Sequence, residues 1–156
     1  MLKPFLLTAA LTCLTNQAVA AQPVLPPGET PLSVNGLLFR DLDRDGKLSP
    51  FEDWRLDPQA RAADIVGRMT IEEKAGAVLH GTAPVQGGPM SSGPAYDGQA
   101  AEALILRGHV TSMITRMAIA PADFAAQNNR LQTIAAQGRL RIPLTISSDP
   151  RNHFQV

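Results

Sequence analysis

Cysteine is nearly absent: the only one in 156 residues is Cys13. It stands inside an early apolar run, "PFLLTAALTCL", so the rest of the chain has no disulfide, thiolate nucleophile or zinc ribbon. Aromatic residues are sparse at 4%, against a hydrophobic content of 44% that is ordinary for a packed domain. An excess of charge of either sign is missing as well. With 14 basic and 14 acidic residues, no net field recruits nucleic acid or an anionic membrane. Internal repeats and charge runs are also lacking. A protein so composed depends on its aliphatic core for stability.

The early apolar run follows Lys3 and is too short to cross a bilayer core of about 30 Å. It ends in "AVA" at Ala18 to Ala20, small residues that suit a signal peptidase. Residues 1–20 are therefore expected to be a cleaved secretory signal. The polar "TNQ" argues against a buried amphipathic helix, and "ALTC" fits a lipoprotein anchor poorly. A periplasmic or secreted protein with no membrane anchor is expected.

Residues 21–40, rich in proline and turn formers, are expected to form an extended lead-in with a turn at Asn35-Gly36. The next stretch, "DLDRDGKLSPFEDW", matches the calcium-loop pattern D-x-D-x-D-G-x5-E across residues 41–52. Calcium takes about seven oxygens at 2.3–2.6 Å. Asp41, Asp43 and Asp45 would supply carboxylates and Gly46 the sharp bend. The Lys47 carbonyl, a water held at Ser49 and both oxygens of Glu52 would complete the sphere. An acidic surface turn that only resembles such a loop is the plainer alternative. A sensor is not expected: Pro31 and Asn35-Gly36 forbid a long incoming helix, Asp57-Pro58 cuts the exit helix short, and no second loop pairs with this one. The loop is expected to act as a fastener, with Trp54 packed behind it.

Asp57 at the N-cap and Pro58 in the first turn start a helix whose apolar face is Ala62, Ile65, Val66 and Met69. Thr70 and Glu73 form a capping-box pair that opens a second helix with Ile71, Ala75, Val78 and Leu79 as its apolar set. Gly81 to Gly98 is expected to be a long irregular surface loop. A short helix from Ala100 to Arg107 should end at Gly108 in a left-handed cap. His109 to Arg116 reads as a strand. Pro121 starts a further helix that Gly138 closes, with Phe124, Leu131, Ile134 and Ala135 as its buried stripe. Ile142 to Ser147 reads as a second strand, apolar on both faces at its start. Helix and strand alternate as in a parallel α/β sheet. Two strands do not close one, so an amino-terminal piece of something larger is expected.

"RAADIVGRMTIEEKAGAVLHG" and "NNRLQTIAAQGRLRIPLTISSDPRNHF" resemble two signatures of the family 3 glycoside hydrolases. The loop followed by "EDW" resembles a subgroup of exported bacterial β-glucosidase-like members. The resemblance covers about Asp41 to Phe154 and is weak in the Gly/Pro-rich stretch between the two blocks. It implies that residues 53–156 begin an incomplete (β/α)8 TIM-like barrel, placed after the EF-hand-like loop. It further implies retaining hydrolysis of terminal, non-reducing β-linked sugars, with a β-linked oligosaccharide or glycoside as substrate and no organic cofactor. The family's nucleophile and acid/base lie on later segments, so no catalytic residue is expected here and the chain alone is expected to be inactive. Asp149 matches the aspartate that holds outer sugar hydroxyls. Its place at a barrel strand's C-terminal end suits that task, although Asp149-Pro150 would also start a turn. "DPRNHF" departs from the shorter aspartate-to-histidine form, which leaves Arg151 and His153 as weaker binding candidates beside Arg116. His80 and His109 are expected to be local structural residues. The competing expectation is a complete calcium-binding or interaction module, which would melt cooperatively with a midpoint raised by calcium.

Overall fold

The computed structural model describes residues 31–88 and 93–148. Two short strands open it, β1 (Leu32–Val34) and β2 (Leu37–Phe39), paired antiparallel with Val34 opposite Leu37. Asn35 and Gly36 make the turn with φ of 52° and 78°, the primed geometry whose twist matches the strands. The end of the expected lead-in is thus a hairpin. Phe39 is fully buried, stacked on Trp54 at 5.6 Å, and Trp54 Nε1 donates to the Leu38 carbonyl at 3.0 Å.

Helix α1 (Pro58–Arg68) begins where Asp57 accepts the Gln59 and Ala60 amides, each at 3.0 Å. Helix α2 (Ile71–Ala77) carries both halves of the capping box, Thr70 with Glu73. Its apolar stripe does not behave as expected. Ile71 is 72% exposed, Val78 83% and Leu79 56%, because the described residues place nothing against it. Gly76, by contrast, is buried, and a Cβ there would run into the carbonyls of Gly108 and His109.

The expected irregular loop begins with a strand. β3 (His80–Thr82) pairs parallel with β4 (Ser112–Ile114), which pairs parallel with β5 (Thr145–Ser147), in the order β3-β4-β5. Among the described residues three strands, not two, make the sheet. Past β3, Ala83, Val85 and Tyr96 are buried, and Val85 and Tyr96 bridge antiparallel. Apolar residues at alternate positions 81, 83 and 85 were the missed period-two signal. The strand expected from His109 to Arg116 shortens to Ser112–Ile114, and His109 itself, with a φ of 54°, lies outside strand geometry.

Helix α3 (Gly98–Glu102) runs into one π turn, Ala103–Arg107, where the Gly108 amide reaches back to Ala103 O at 3.0 Å. Gly108 is right-handed (φ −84°), which corrects the left-handed cap expected there. His109 supplies the positive φ instead. Glycine at 108 serves close approach, since a Cβ would lie 2.7 Å from Leu104 O. Helix α4 (Pro121–Ala135) starts on its proline and caps at Ala136, ahead of Gly138. Its stripe behaves as expected: Leu131 and Ala135 are buried, and Phe124 and Ile134 pack beside them.

Side chains alternate across a strand, so Gly81, Met113 and Ile146 share one face of the sheet. That face meets Ala101, Ile105, Leu131 and Ala135 in the core, and Met113 is fully buried. The opposite face carries His80, Thr82, Ser112, Ile114, Thr145 and Ser147. None of these six is buried. Among the described residues, helices cover one side of this parallel sheet and none covers the other, although parallel sheets are normally covered on both.

Candidate functional site

Among the described residues two places gather polar chemistry: the loop after β2 and the C-terminal rim of the three-stranded sheet. In the loop, ligand atoms of Asp41, Asp43 and Asp45 lie within 4.8 Å of one another. Local bonds shape it. Asp41 accepts the Asp45 and Gly46 amides at 3.1 Å each, and Asp45 accepts the Lys47 amide at 2.8 Å. Gly46 takes a φ of 72° and Arg44 one of 60° at the bend. Such hard oxygen donors fit calcium or magnesium, and each accepting oxygen keeps a second lone pair.

Glu52 stands apart from the trio. It is 3% exposed, and its carboxylate accepts the amides of Leu42, Asp43 (3.4 Å) and Ser49 (2.9 Å). Ser49 is buried beside it. Burial pushes the Glu52 carboxyl up, and the backbone bonds from Ser49, Leu42 and Asp43 pull partly the other way. In this arrangement Glu52 holds the two ends of the loop together. Arg68 of α1 clamps the outside: it pairs with Asp43 and Asp64 at 3.0 Å each, and its guanidinium lies 5.1 Å from the Phe51 ring centre. Asp64 in turn accepts the Phe51 amide at 3.1 Å. Arg68 was not singled out from the sequence, because nothing local to α1 announces a partner 25 positions earlier.

At the rim, parity decides what faces where. Thr115 and Met117 continue the buried side of Met113, and both are buried. Arg116 continues the open side of Ser112 and Ile114 and is exposed. The ladder runs past β4, with Thr115 N donating to Ser147 O at 3.0 Å and Ala83 N to Ile114 O at 2.9 Å. His80 Nε2 lies 2.9 Å from Ser147 Oγ, a cross-sheet bond on the open face. Asp149, Arg151 and His153 lie outside the described residues. Behind the rim, the Tyr96 hydroxyl meets Thr115 Oγ1 at 3.0 Å and Asn128 Oδ1 at 2.8 Å. Burial raises the Tyr96 phenol above its ordinary range, and the Thr115 bond opposes that shift. Tyr96 fell in the stretch expected to be irregular, so sequence reasoning passed over it.

The far end of the sheet is different. A hollow of about 50 Å³ lies before β4 and β5, lined by Ile105, Val110, Leu140 and Leu144 among others. His109 and the Glu73–Arg139 pair border it. Residues at the amino-terminal end of parallel α/β strands serve stability more than chemistry.

No protein-family profile matches the sequence. Individual relatives do. The chain is 53% identical over 136 residues to a periplasmic beta-glucosidase/beta-xylosidase of Dickeya chrysanthemi, covering 86% of this chain and 21% of that protein. It is 33% identical over 153 residues to a probable beta-glucosidase C of Aspergillus flavus, covering 94% and 22%. With beta-glucosidase C of Emericella nidulans it shares 39% over 98 residues, covering 60% and 15%. Across bacterial and fungal sequences the chain is therefore a homologue of β-glucosidase-type glycoside hydrolases, spanning about a fifth of the length of those relatives.

Proposed function

We propose that these residues form part of an exported β-glucosidase-type enzyme of glycoside hydrolase family 3, working in the periplasm or outside the cell on β-linked glycosides. The observation that carries the proposal is the 53% identity with the Dickeya protein, whose name includes both the activity and the compartment. The fold supports the same reading. Three sequential parallel strands with helices on one side and an open second face have the form of a barrel wall seen before closure. In this reading residues 1–20 are the signal, 21–40 the lead-in, 41–52 the cation loop and 53–156 the start of a (β/α)8 barrel.

Hydrolysis with retention needs two carboxyl groups about 5–5.5 Å apart, one a nucleophile and one an acid/base. The polypeptide beyond this stretch supplies both, so the present residues bind and brace rather than cleave. Asp149 accepts hydrogen bonds from a pair of hydroxyls on the reacting sugar, and Arg116, at the neighbouring strand end, donates to oxygens away from the bond being cleaved. Asp41, Asp43 and Asp45 hold a calcium ion that stiffens the loop against α1.

The test uses the complete polypeptide that contains these residues, assayed on aryl β-glucosides and β-xylosides. Asp149→Ala is expected to lower kcat/KM by about a hundredfold, because hydroxyl contacts tighten in the transition state. A change under about threefold, roughly 0.7 kcal/mol, removes Asp149 from the substrate site. Failure of the complete polypeptide to hydrolyse any β-glycoside overturns the function itself.

A further inference from the structure

Three elements meet at one hydroxyl behind the rim. Met117 N lies 3.4 Å from Thr115 Oγ1, Thr115 Oγ1 3.0 Å from Tyr96 Oη, and Tyr96 Oη 2.8 Å from Asn128 Oδ1. Proton counting orients the chain. A carbonyl oxygen only accepts, so Tyr96 gives its single proton to Asn128. Thr115 then donates to Tyr96 and accepts from the Met117 amide. Each of the two hydroxyls thus donates once and accepts once, and both Thr115 and Tyr96 are buried. The Tyr96 amide adds a bond to Gln127 Oε1 at 3.3 Å, which ties the connection after β3 to α4 a second time.

This wire holds residue 115 by its side chain and residue 117 by its amide, one on each side of Arg116. Ladder bonds already fix the approach from below, Thr115 N to Ser147 O and Ala83 N to Ile114 O. The backbone of Arg116 is thus held rigidly, while its side chain is exposed on the open face and makes no hydrogen bond or ion pair among the described residues. Arg116 stands exposed on a fixed root just past the C-terminal end of a parallel strand, the end at which such sheets bind ligands.

We infer that Arg116 is a specificity residue of the carbohydrate site and that Tyr96, acting through Thr115 and Asn128, is the residue that positions it. The inference rests on the glycosidase reading and deepens it. A guanidinium has five N–H donors and no acceptor, so its ligand is the oxygen-rich edge of a sugar ring away from the bond being cleaved. Contacts of that kind hold the ground state and the transition state equally, and their loss appears in KM rather than kcat.

The experiment is a double-mutant cycle in the complete polypeptide, read on a β-linked disaccharide. Tyr96→Phe keeps the ring and deletes the proton. It is expected to raise KM about fivefold with kcat changed by less than about twofold. Arg116→Ala is expected to raise KM about tenfold, and in that background Tyr96→Phe should add less than about 1.5-fold. Asn128→Ala, which removes the acceptor and leaves the tyrosine, is expected to repeat the pattern and serves if Tyr96→Phe does not fold. Unchanged KM in Tyr96→Phe, or the same factor with and without Arg116, overturns the inference. A wild-type polypeptide without activity on any β-glycoside sinks the glycosidase reading and this inference with it. An active wild type with independent variants sinks this inference alone.

Discussion

Glu52→Gln separates a ligand of the cation from an internal brace. The carboxylate is 3% exposed and accepts three backbone amides, from Leu42, Asp43 and Ser49. Glutamine keeps one acceptor oxygen and sets an NH2 group against the amides that the other oxygen served. A buried donor left without an acceptor costs about 1–3 kcal/mol. Relief of the buried charge offsets part of this, since burial already raises the Glu52 carboxyl. A net loss of about 1–2 kcal/mol is expected, and it should be present in chelator as well as in calcium. Trp54, the one tryptophan among these 156 residues, stacks on Phe39 beside the loop, so urea unfolding of this region can be followed through its emission. With a slope of about 1–2 kcal/mol/M, the midpoint should fall by roughly 1 M. The pH dependence gives a second reading. A folded pKa raised above the unfolded one contributes stability that is complete below the ordinary carboxylate value and is lost as pH rises through the folded value. Wild type should show this loss and Glu52→Gln should not. Equal midpoints for the two proteins in chelator would refute the bracing role. A variant that differs only when calcium is present would make Glu52 a ligand.

Gly76→Ala drives a methyl into the carbonyls of Gly108 and His109, so a loss of about 2–3 kcal/mol is expected by the same urea titration; a neutral result would mean that α2 sits elsewhere. Arg139→Ala removes the pairing that holds the Glu73 carboxyl below its ordinary range. Because Arg139 is 53% exposed, the expected loss is only about 0.5–1 kcal/mol at neutral pH. Its sign follows from the depressed pKa: the contribution is present above the ordinary carboxylate value and lost as pH falls through the folded one, so wild type and variant should converge in acid. A difference that persists unchanged down to pH 2 to 3 would contradict the pairing.

Signals that act over a few residues were legible in the sequence. Asp57 caps α1, Thr70 and Glu73 close their box, Asn35-Gly36 turns the hairpin, and Pro121 opens α4. Each needs only its own neighbours. The spacing of Asp41, Asp43 and Asp45 likewise converges within one turn of chain. The family resemblance also rested on contiguous text, and the β-glucosidase relatives agree with its glycosidase reading.

What depended on distant partners was not legible. β3 is three residues long and exists because β4 supplies its ladder. Gly76 and Gly108 look like ordinary helix punctuation until two backbones are seen to touch. Ile71, Val78 and Leu79 have the spacing of a buried face, yet burial requires a neighbour, and none of the described residues provides one. Tyr96, Thr115 and Asn128 are far apart in the chain and meet only when β4 lies between the loop and α4. Local backbone preferences and caps are therefore written in the sequence itself. The open sheet face, the brace at Glu52 and the rigid seat of Arg116 are decided by packing, because a side chain's role there is set by atoms that the chain brings from elsewhere.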